Sequence, residues 1–543
     1  VESETMTREL FETCLLLSKR LDKKYNKQTI AAKMTDVPGH TRSIIDPMYD
    51  AGIRLLHVGI NSACPLPSVP TFCRWRSPSG NDLLLVYQKD YGEDEVLPDG
   101  KTVVSINFTG DNHGPHSYER VKKIYADLRK RYPQAQLVGA SFNDVARELL
   151  LIKKDLPVVT SEIGDTWIFG YGGAPIRMAK FRAVSRLYSQ WLNEGKIKKD
   201  SDVALDFAAE LGLIAEHTQG VDVKTHLRQW DKYDMDKFLK GRSEGVFSMA
   251  EASWKEIDNY IDSAIAFLPA SLQKEAREVV AEVDKVKLED NSKMKPMARK
   301  RWEQPIAGGM TLAGLSYQMF DGDDYDDFQN RYLRARYEWA LDDLGKRGLK
   351  ESHAVSVTLY AQTMAQSVRK EKKGTRIITE LRFPENEKVD KRVYPERIQV
   401  NCFTTKNGKR SEVALTIYGK PAVRLPESYW LSFTVPGIEL VIAEKMGERV
   451  NLMDVVEKGN RQMHGIDRYV DLITSGETIR ISSKEAFLLN VGEAQGLNYS
   501  TNYPDKRKGV HFNLNNNLWG TNFSMWNEGS LTYHFVIETL GRK

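Results

Sequence analysis

The order in which secondary-structure patterns follow one another constrains the fold of this chain most strongly. Over residues 1 to about 185, short apolar strands alternate with helices, as in T-I-A-A-K-M-T, then S-I-I-D-P-M-Y-D-A-G-I, then R-L-L-H-V-G-I. This alternation indicates a parallel sheet covered on both faces, or a barrel. In such folds the functional side chains gather at the carboxyl ends of the strands.

The pattern changes twice further along the chain. From about residue 176, three segments carry apolar residues at helical spacing, which predicts a bundle of about three helices. From about residue 352, strand-like runs separated by turn residues predict a β-sandwich. We therefore expect a multidomain α/β + α + β protein, with an α/β barrel domain over 1–175, a helical bundle over 176–300, a linker and helix over 301–350 and a β-sandwich over 351–543.

Composition excludes some partners. The formal charge of +4 on 543 residues gives no argument for nucleic acid or for an anionic membrane, and no stretch is long and apolar enough to span a bilayer. The four cysteines lack CxxC spacing, which argues against a zinc ribbon or a thioredoxin-like site. Cys64 and Cys73 could form a disulfide in an exported protein, but free buried thiols are the expectation.

Asp36 is the first candidate for chemistry. It ends an apolar strand, just before the turn Val37-Pro38-Gly39, and His40 follows four residues later. A carboxylate at this position points into the cleft of an α/β fold, and an acid and an imidazole on one turn can share a metal ion or a proton. The alternative is that Asp36 only caps the helix that follows.

A second loop, F-T-G-D-N-H-G-P-H-S at 108–117, also follows a strand. Asp111 is its carboxylate, His113 and His116 lie beside it, and Gly110 and Gly114 allow close approach of the backbone to a ligand. The alternative is an ordinary loop with an Asx turn.

The third segment, at 158–173, combines acids with aromatic rings. Glu162 and Asp165 follow the last predicted strand, and Trp167 begins an alternation of aromatic residues and glycines. Rings that stack on sugar faces and acids that bind hydroxyl groups make a sugar subsite. A rigid loop with core aromatics is an equal alternative.

Two later segments complete the candidates. His217 ends an apolar helix before Gly220, where a lone histidine is more often structural than a ligand. The stretch 509–526 is dense in asparagine and aromatic residues, including Asn513 and Trp519. It suits binding of a polar ligand, or asparagine-rich turns at the edge of a sandwich.

In this order, these segments resemble glycoside hydrolase family 38, the α-mannosidase family, and more closely an uncharacterised bacterial group of its relatives. D-V-P-G-H-T at 36–41 is similar to the family pattern D-P-F-G-H-S, G-D-N-H-G-P at 110–115 to a glycine-rich loop with an Asp, and A-E-H-T-Q-G-V-D at 215–222 to a segment whose His binds zinc. The resemblance implies a seven-stranded β/α barrel with Asp36 as nucleophile and zinc ligand, Asp111 as acid/base and His217 as a second zinc ligand.

The chain also departs from the family pattern. Family members carry an H-x-D pair that supplies two more zinc ligands, and no such pair precedes Asp36. We therefore expect the first strand of the barrel to be absent from this chain. Asn112 and His113 replace glycines of the family loop, and Thr218 and Gln219 replace an Asp-Ile pair, so the substrate is expected to differ from mannose.

We predict a metal-dependent, retaining glycoside hydrolase that uses zinc or another divalent cation and acts on a glycan. The predicted substrate-binding residues are His40, His113, Glu162, Asp165, Trp167, Asn513 and Trp519. Two alternatives stay open: another metal-dependent carbohydrate-active enzyme, such as a lyase or a deacetylase, and a non-catalytic carbohydrate-binding protein. By resemblance alone, the protein is expected to be periplasmic or secreted.

Overall fold

The first third of the chain folds as a sheet with helices packed on it. A computed structural model of the protein describes residues 1–109, 113–290, 292, 294–520 and 522–541. The elements of this region are α1 (Arg8–Tyr25), β1 (Ala31–Asp36), α2 (Ile45–Asp50), β2 (Leu55–Ile60), β3 (Phe72–Arg76), β4 (Asp82–Lys89), β5 (Glu95–Val96), β6 (Val103–Val104), α3 (Tyr118–Arg131), α4 (Phe142–Leu151) and β7 (Val158–Val159).

The sheet is open, and it differs from the expected seven-stranded barrel. Within the described ranges it has five strands in the order β1-β2-β4-β3-β7, with β1, β2 and β4 parallel and β3 antiparallel to β4. The predicted strand over 102–108 contributes only β6, which pairs with β5 in a separate ribbon. The run A-Q-L-V-G-A-S at 135–141 also predicts a strand, but it lies on the surface instead of packing into the sheet and forms none.

The middle of the chain is helical. Its elements are α5 (Pro175–Asn193), α6 (Asp202–Leu211), α7 (Val223–His226), α8 (Met235–Ser243), α9 (Ser248–Ala266) and α10 (Ala270–Asp284). The three segments with helical spacing form helices α5, α6 and α9, and α6 packs against α9. In addition, α10 packs against α5, and α1 packs against both α5 and α6, so the helical group includes the start of the chain.

The last part of the chain is dominated by two large antiparallel sheets. Its elements are β8 (Lys295–Pro296), β9 (Gln304–Pro305), β10 (Thr311–Met319), α11 (Gly322–Tyr332), α12 (Glu338–Asp343), β11 (Val357–Tyr360), β12 (Gln362–Lys370), β13 (Gly374–Arg382), β14 (Arg397–Thr405), β15 (Arg410–Lys420), β16 (Glu427–Thr434), β17 (Ile438–Lys445), β18 (Glu448–Asn451), β19 (Met463–Gly465), β20 (Tyr469–Thr474), β21 (Thr478–Ser483), β22 (Leu488–Val491), β23 (Val510–Asn516) and β24 (Gly529–Thr539). The segment 285–305, whose charged composition is typical of a linker, contributes two short edge strands, β8 and β9.

The two sheets pack face to face. Counted over the residues that the structure describes, one has ten strands in the order β18-β17-β20-β21-β24-β15-β14-β13-β12-β8, and the other has β11-β10-β16-β23-β22-β19 with β9 beside β10. Phe433 and Phe512 from the smaller sheet contact the ring of Phe535 from the larger one at 5.4 and 5.0 Å between centroids. This contact of inward-facing aromatic residues is typical of a β-sandwich.

One hydrophobic core runs through all three regions. The same cluster of buried side chains extends from Met6 near the start to Ile537 in the last strand. Arg182 of α5 strengthens the junction, because its guanidinium donates to the carbonyl oxygens of Ile466 and Asp467 at 3.1 and 2.5 Å. All four cysteines are free thiols. Within the described ranges, no helix combines the length and the apolar character that crossing a bilayer requires.

Candidate active site

Asp36 is the last residue of β1, at the carboxyl end of the parallel part of the sheet. Only 8% of its surface is exposed. Its backbone φ is +71°, in the left-handed region, which costs a non-glycine residue about 1–3 kcal/mol. Such strain persists only where the surroundings hold it, and it marks Asp36 as a candidate functional residue.

Three side chains donate hydrogen bonds to the Asp36 carboxylate. The Tyr91 hydroxyl and the Asn61 amide reach Oδ1 at 2.5 and 3.1 Å, and His217 Nε2 reaches Oδ2 at 3.2 Å. Burial alone would raise the pKa of Asp36, but the interactions with His217, Tyr91 and Asn61 outweigh it and lower this pKa below its usual value. The buried carboxylate is therefore ionised at neutral pH.

Tyr91 follows β4 and reaches Asp36 from a second strand end. Its own φ is +67°, so two strained residues meet through one hydrogen bond. The Tyr91 backbone passes so close to Gly59 that a β-carbon on Gly59 would lie 2.7 Å from Tyr91 Cα. The ring stacks on Phe108 at 5.2 Å. The glycine therefore creates the space in which the tyrosine can approach the carboxylate.

His217 lies between two carboxylates. Its Nε2 contacts Asp36, and its Nδ1 forms a short ion pair with Glu216. Burial would lower the pKa of His217, but hydrogen bonds and charge from Asp36 and Glu216 raise it to about 9. Burial would raise the pKa of Glu216, but the interactions with His217 lower this pKa to about 2. At neutral pH an imidazolium therefore bridges two ionised acids.

His40 lies in the same region but is enclosed. It is 1% exposed, and neither ring nitrogen has a hydrogen-bond partner among the described residues. Burial, with the positive charges of the amino terminus and His217, lowers its pKa to about 3, so the ring is neutral. The turn before His40 packs closely against the backbone of Ile163, since a β-carbon on Gly39 would lie 2.2 Å from the Ile163 carbonyl oxygen.

Glu162 is 2% exposed and its carboxylate is engaged by protein groups. Oε1 accepts hydrogen bonds from the backbone of Arg42 and the hydroxyl of Thr41 at 2.8 and 3.1 Å, and Oε2 contacts Lys445 Nζ at 3.1 Å. Glu162 therefore holds the turn that follows His40, and its substrate-binding role stays a prediction.

Asp165 is also buried, at 3% exposure, and pairs with another acid. Its Oδ1 accepts a hydrogen bond from the backbone of Trp167 at 2.8 Å, and the carboxyl group of Glu2 lies beside it. Burial raises the pKa of both carboxyl groups, and the repulsion between them raises that of Glu2 further. The pair can share a proton in the way that closely spaced carboxyl groups do.

Two tryptophans border the histidine. The ring of Trp167 lies 5.5 Å from that of His217, and Trp519 lies 6.3 Å from Trp167. Both are 6% exposed. Trp167 is further fixed by a hydrogen bond from its Nε1 to Cys64 Sγ at 3.0 Å. The structure thus brings Trp167 and Trp519 to the candidate site, from the α/β region and the β region respectively.

Asn513 is buried in the protein interior. It is 3% exposed, and its side-chain oxygen accepts a hydrogen bond from Asn516 at 2.8 Å. Asn516 also donates to the carbonyl oxygen of Phe169 at 3.1 Å. This amide network joins β23 to the 167–173 segment, and the structure does not bring Asn513 into contact with Asp36 or His217.

Asp111, the predicted acid/base, lies outside the described residues, as does its neighbour Asn112. His113, on the far side of that gap, is exposed. Phe108, three residues earlier in the sequence than Asp111, stacks on the tyrosine that binds Asp36. The assignment of Asp111 stays a prediction.

Three residues that contact Asp36 or His217 directly are not among the predicted site residues: Asn61, Tyr91 and Glu216. Asn61 follows β2 and Tyr91 follows β4, so the rule that led to Asp36, polar residues just after parallel strands, could have found both. Glu216 precedes His217 in the sequence, but only the fold shows that its carboxylate turns back to the ring.

A zinc site needs more ligands than the described residues supply. Zinc takes four ligands, or three and a water molecule at a catalytic site. Asp36 and His217 meet here, but the part of the chain that the structure describes contains no group of three or more His, Cys, Asp or Glu placed to hold a metal ion. These residues therefore do not form a complete metal site, and zinc stays a prediction.

Comparison with known proteins supports the fold. Residues 172–304 match a family model described as a domain of unknown function (DUF5054). A search of curated proteins finds no match. The solved structure of an alpha-mannosidase from Enterococcus faecalis V583 aligns with 100% of this chain and 77% of its own, with a TM-score of 0.55 and 10% identity.

The chain shares the fold of that alpha-mannosidase. A protein in the glycosyl hydrolase family 38 from Enterococcus faecalis also aligns, over 99% of this chain and 76% of its own, with a TM-score of 0.48 and 9% identity. At 10% identity, the likeness to the alpha-mannosidase establishes a common multidomain architecture and leaves the chemistry to be argued from the site itself.

Proposed function

We propose that this protein is a glycoside hydrolase that uses Asp36 as its nucleophile. The observation that carries this proposal is the state of the Asp36 carboxylate. It is buried, ionised and held by three donors at the carboxyl end of a parallel strand. The fold shared with an alpha-mannosidase supports the assignment to glycans.

The proposed reaction is retaining hydrolysis. Asp36 attacks the anomeric carbon and forms a covalent glycosyl ester, while an acid protonates the oxygen of the departing group. Water then attacks the anomeric carbon while the same acid/base, now deprotonated, takes its proton; the bond between this carbon and the Asp36 oxygen breaks, which frees the carboxylate and releases the sugar with its original anomeric configuration. Asp111 is the proposed acid/base, and retaining enzymes need about 5 Å between the two carboxyl groups.

The residues around Asp36 have distinct roles in this proposal. Tyr91 and Asn61 fix Oδ1, and the imidazolium of His217 fixes Oδ2, so the carboxylate is held in one orientation. These donors keep it ionised at the pH at which it must attack. Trp167 shields the His217 side of the site from water with its ring.

The test is hydrolysis of a panel of 4-nitrophenyl α- and β-glycosides and of neutral oligosaccharides, with the anomer of the product followed by NMR. We expect turnover with retention, and a loss of at least about 1,000-fold in kcat for Asp36→Asn. The matched control is Asp50→Asn, at an exposed position, which should keep full activity.

Full turnover by Asp36→Asn would overturn the assignment of the nucleophile. Inversion at the anomeric carbon would overturn the retaining mechanism. Release of acetate from acetylated sugars, or of unsaturated products, would favour the deacetylase or lyase alternative. Sugar binding without any turnover across the panel would favour a carbohydrate-binding protein.

A further inference from the structure

A second cleft opens on the β region, on the outer face of the seven-stranded sheet. Its volume is about 520 Å³, within the range of small-molecule sites. None of the residues that surround Asp36 lines it. Polar side chains from four neighbouring strands form its floor and near wall: Ser316, Gln318, Thr358, Tyr360, Ser432 and His511.

Strand register places these side chains on one face. Ser316 of β10 is opposite Tyr360 of β11, and Gln318 is opposite Thr358. Residues that are directly opposite in an antiparallel pair point to the same side of the sheet. Ser432 of β16 is likewise opposite His511 of β23, and the two side chains share a hydrogen bond of 2.8 Å. The floor is therefore continuous across the four strands.

The floor is recessed although it is polar. Ser316 is 3% exposed, and Gln318 and His511 are each 7% exposed. The Gln318 amide already has protein partners in Ala494, Ser428 and Trp430. His511 Nε2 has no hydrogen-bond partner among the described residues, and a ligand can supply one as well as water does. The intervening residues Leu315 and Phe433 point the other way, into the core between the sheets.

The charge around the cleft is balanced. Arg301 and Lys508 supply two positive charges, and Asp324 and Glu493 supply two negative ones. Lys508 and Glu493 pair with each other at 2.6 Å. Burial lowers the pKa of His511 to about 4, so its ring adds no charge at neutral pH. A cleft of this kind does not favour an anion or a cation over a neutral polar ligand.

Tyr360 adds a flat aromatic surface at the edge of the cleft. It is 42% exposed, and the guanidinium of Arg301 lies 3.9 Å from its ring centroid. An exposed ring beside a row of hydroxyl and amide groups offers stacking to the apolar face of a sugar and hydrogen bonds to its hydroxyls.

We propose that this cleft is a second binding site, for a neutral oligosaccharide, remote from Asp36. Hydroxyl groups of the sugar bond to Ser316, Ser432 and Thr358, and one sugar ring stacks on Tyr360. The site binds without chemistry, so it extends the proposed glycosidase function but does not require hydrolysis at Asp36.

The experiment is isothermal titration calorimetry of the full chain with cellotetraose, maltotetraose, xylotetraose and mannotetraose, and with tetragalacturonate as a charged probe. The Asp36→Asn variant is titrated beside the wild type so that turnover does not disturb the signal. We expect at least one neutral tetrasaccharide to bind. Tyr360→Ala and Ser432→Leu should each weaken binding at least tenfold, and Tyr418→Ala, at a similarly exposed tyrosine in the other sheet, should leave it unchanged.

Hydrolysis of aryl glycosides by wild type and Tyr360→Ala separates the two proposals. Equal rates, with weaker tetrasaccharide binding by Tyr360→Ala alone, support the cleft whether or not Asp36 proves to be the nucleophile. The cleft proposal is overturned if no neutral tetrasaccharide binds, if tetragalacturonate binds more tightly than all of them, or if Tyr360→Ala binds as well as wild type. Since Tyr360 is exposed, that variant is expected to fold even if Ser432→Leu does not.

Discussion

Asp36 and Tyr91 both adopt left-handed backbone conformations, and they touch each other. Each conformation costs about 1–3 kcal/mol, so the local structure alone would not maintain them. What maintains them is a set of contacts from separate loops: Asn61 after β2, His217 after the α6 segment, and the close passage of Tyr91 over Gly59. At the scale of residues, the site is preorganised around one carboxylate.

The hydroxyl of Tyr91 is predicted to position and acidify Asp36. In Tyr91→Phe this carboxylate loses one of the hydrogen bonds that lower its pKa. We expect kcat to fall about 10- to 100-fold and the acidic limb of the kcat/KM profile to move to higher pH, since the pKa of Asp36 rises. A pH series of initial rates checks this, with Tyr118→Phe, at a highly exposed position, as control. An unshifted acidic limb contradicts the role.

Gly59 is predicted to be intolerant of any side chain. A β-carbon there would lie 2.7 Å from both the Cα and the carbonyl oxygen of Tyr91, so backbone atoms would have to move. Gly59→Ala should lose about 1–3 kcal/mol of unfolding free energy and most of its activity together. Gly476→Ala is the control, because no atom lies within 4 Å of its added carbon. Urea unfolding measures the free energy of unfolding of both variants, and equal values would contradict the packing argument.

At the scale of elements, strand β17 of the β region reaches into the α/β region through its last residue, Lys445. The ammonium group contacts Glu4 at 2.7 Å and Glu162 at 3.1 Å, and all three side chains are at most 4% exposed. Glu162 in turn binds the turn at Thr41 and Arg42. One lysine thus ties the start of the chain and the turn that follows Asp36 to the β-sandwich.

Lys445→Met is predicted to destabilise the protein in a pH-dependent way. Burial raises the pKa of Glu4 to about 7 even with Lys445 beside it. This folded-state pKa lies above the ordinary value of 4.5, so protonation of Glu4 favours the fold at low pH, and that contribution is lost as the pH rises through 7. Without the lysine, two buried acids must be protonated or remain as unpaired charges. The free energy of unfolding should therefore fall by about 3–5 kcal/mol at pH 8 and by less at pH 5.

Urea unfolding at the two pH values measures this difference. Lys409→Met, at an exposed lysine, should change stability by no more than about 0.5 kcal/mol at either pH. An equal loss for Lys445→Met at pH 5 and pH 8 would contradict the account of the buried triad.

Local patterns predicted the elements better than their arrangement. Apolar alternation located β1, β2 and β4, and therefore the strand end that carries Asp36. The same rule failed for 135–141, a run that lies on the surface, and the described strands of this region form an open sheet instead of the expected barrel. The contacts of Glu162 and Lys445 join positions 283 residues apart, which no local spacing encodes. The residue pairs that hold the site were therefore visible only in the fold.

At the scale of the whole molecule, the largest cluster of buried side chains among the described residues joins regions that the sequence pattern separates. Buried side chains from Met6 to Ile537 belong to one cluster, and Trp519 of the β region packs near Trp167 beside His217. We predict one cooperative thermal transition, with a calorimetric enthalpy close to the van't Hoff enthalpy, because no region can unfold without exposing the core of the next. Differential scanning calorimetry checks this, and two or more resolved transitions would contradict it.

The most direct test of the central claim is covalent trapping of the nucleophile. Wild type and Asp36→Asn are incubated with a fluorinated glycosyl fluoride of the sugar whose aryl glycoside is hydrolysed fastest, and peptides are examined by mass spectrometry. The account predicts that the wild type gains one fluoroglycosyl group, on the peptide that contains Asp36, and that Asp36→Asn gains none. A label on another carboxylate, or the same label on Asp36→Asn, would show that Asp36 is not the nucleophile.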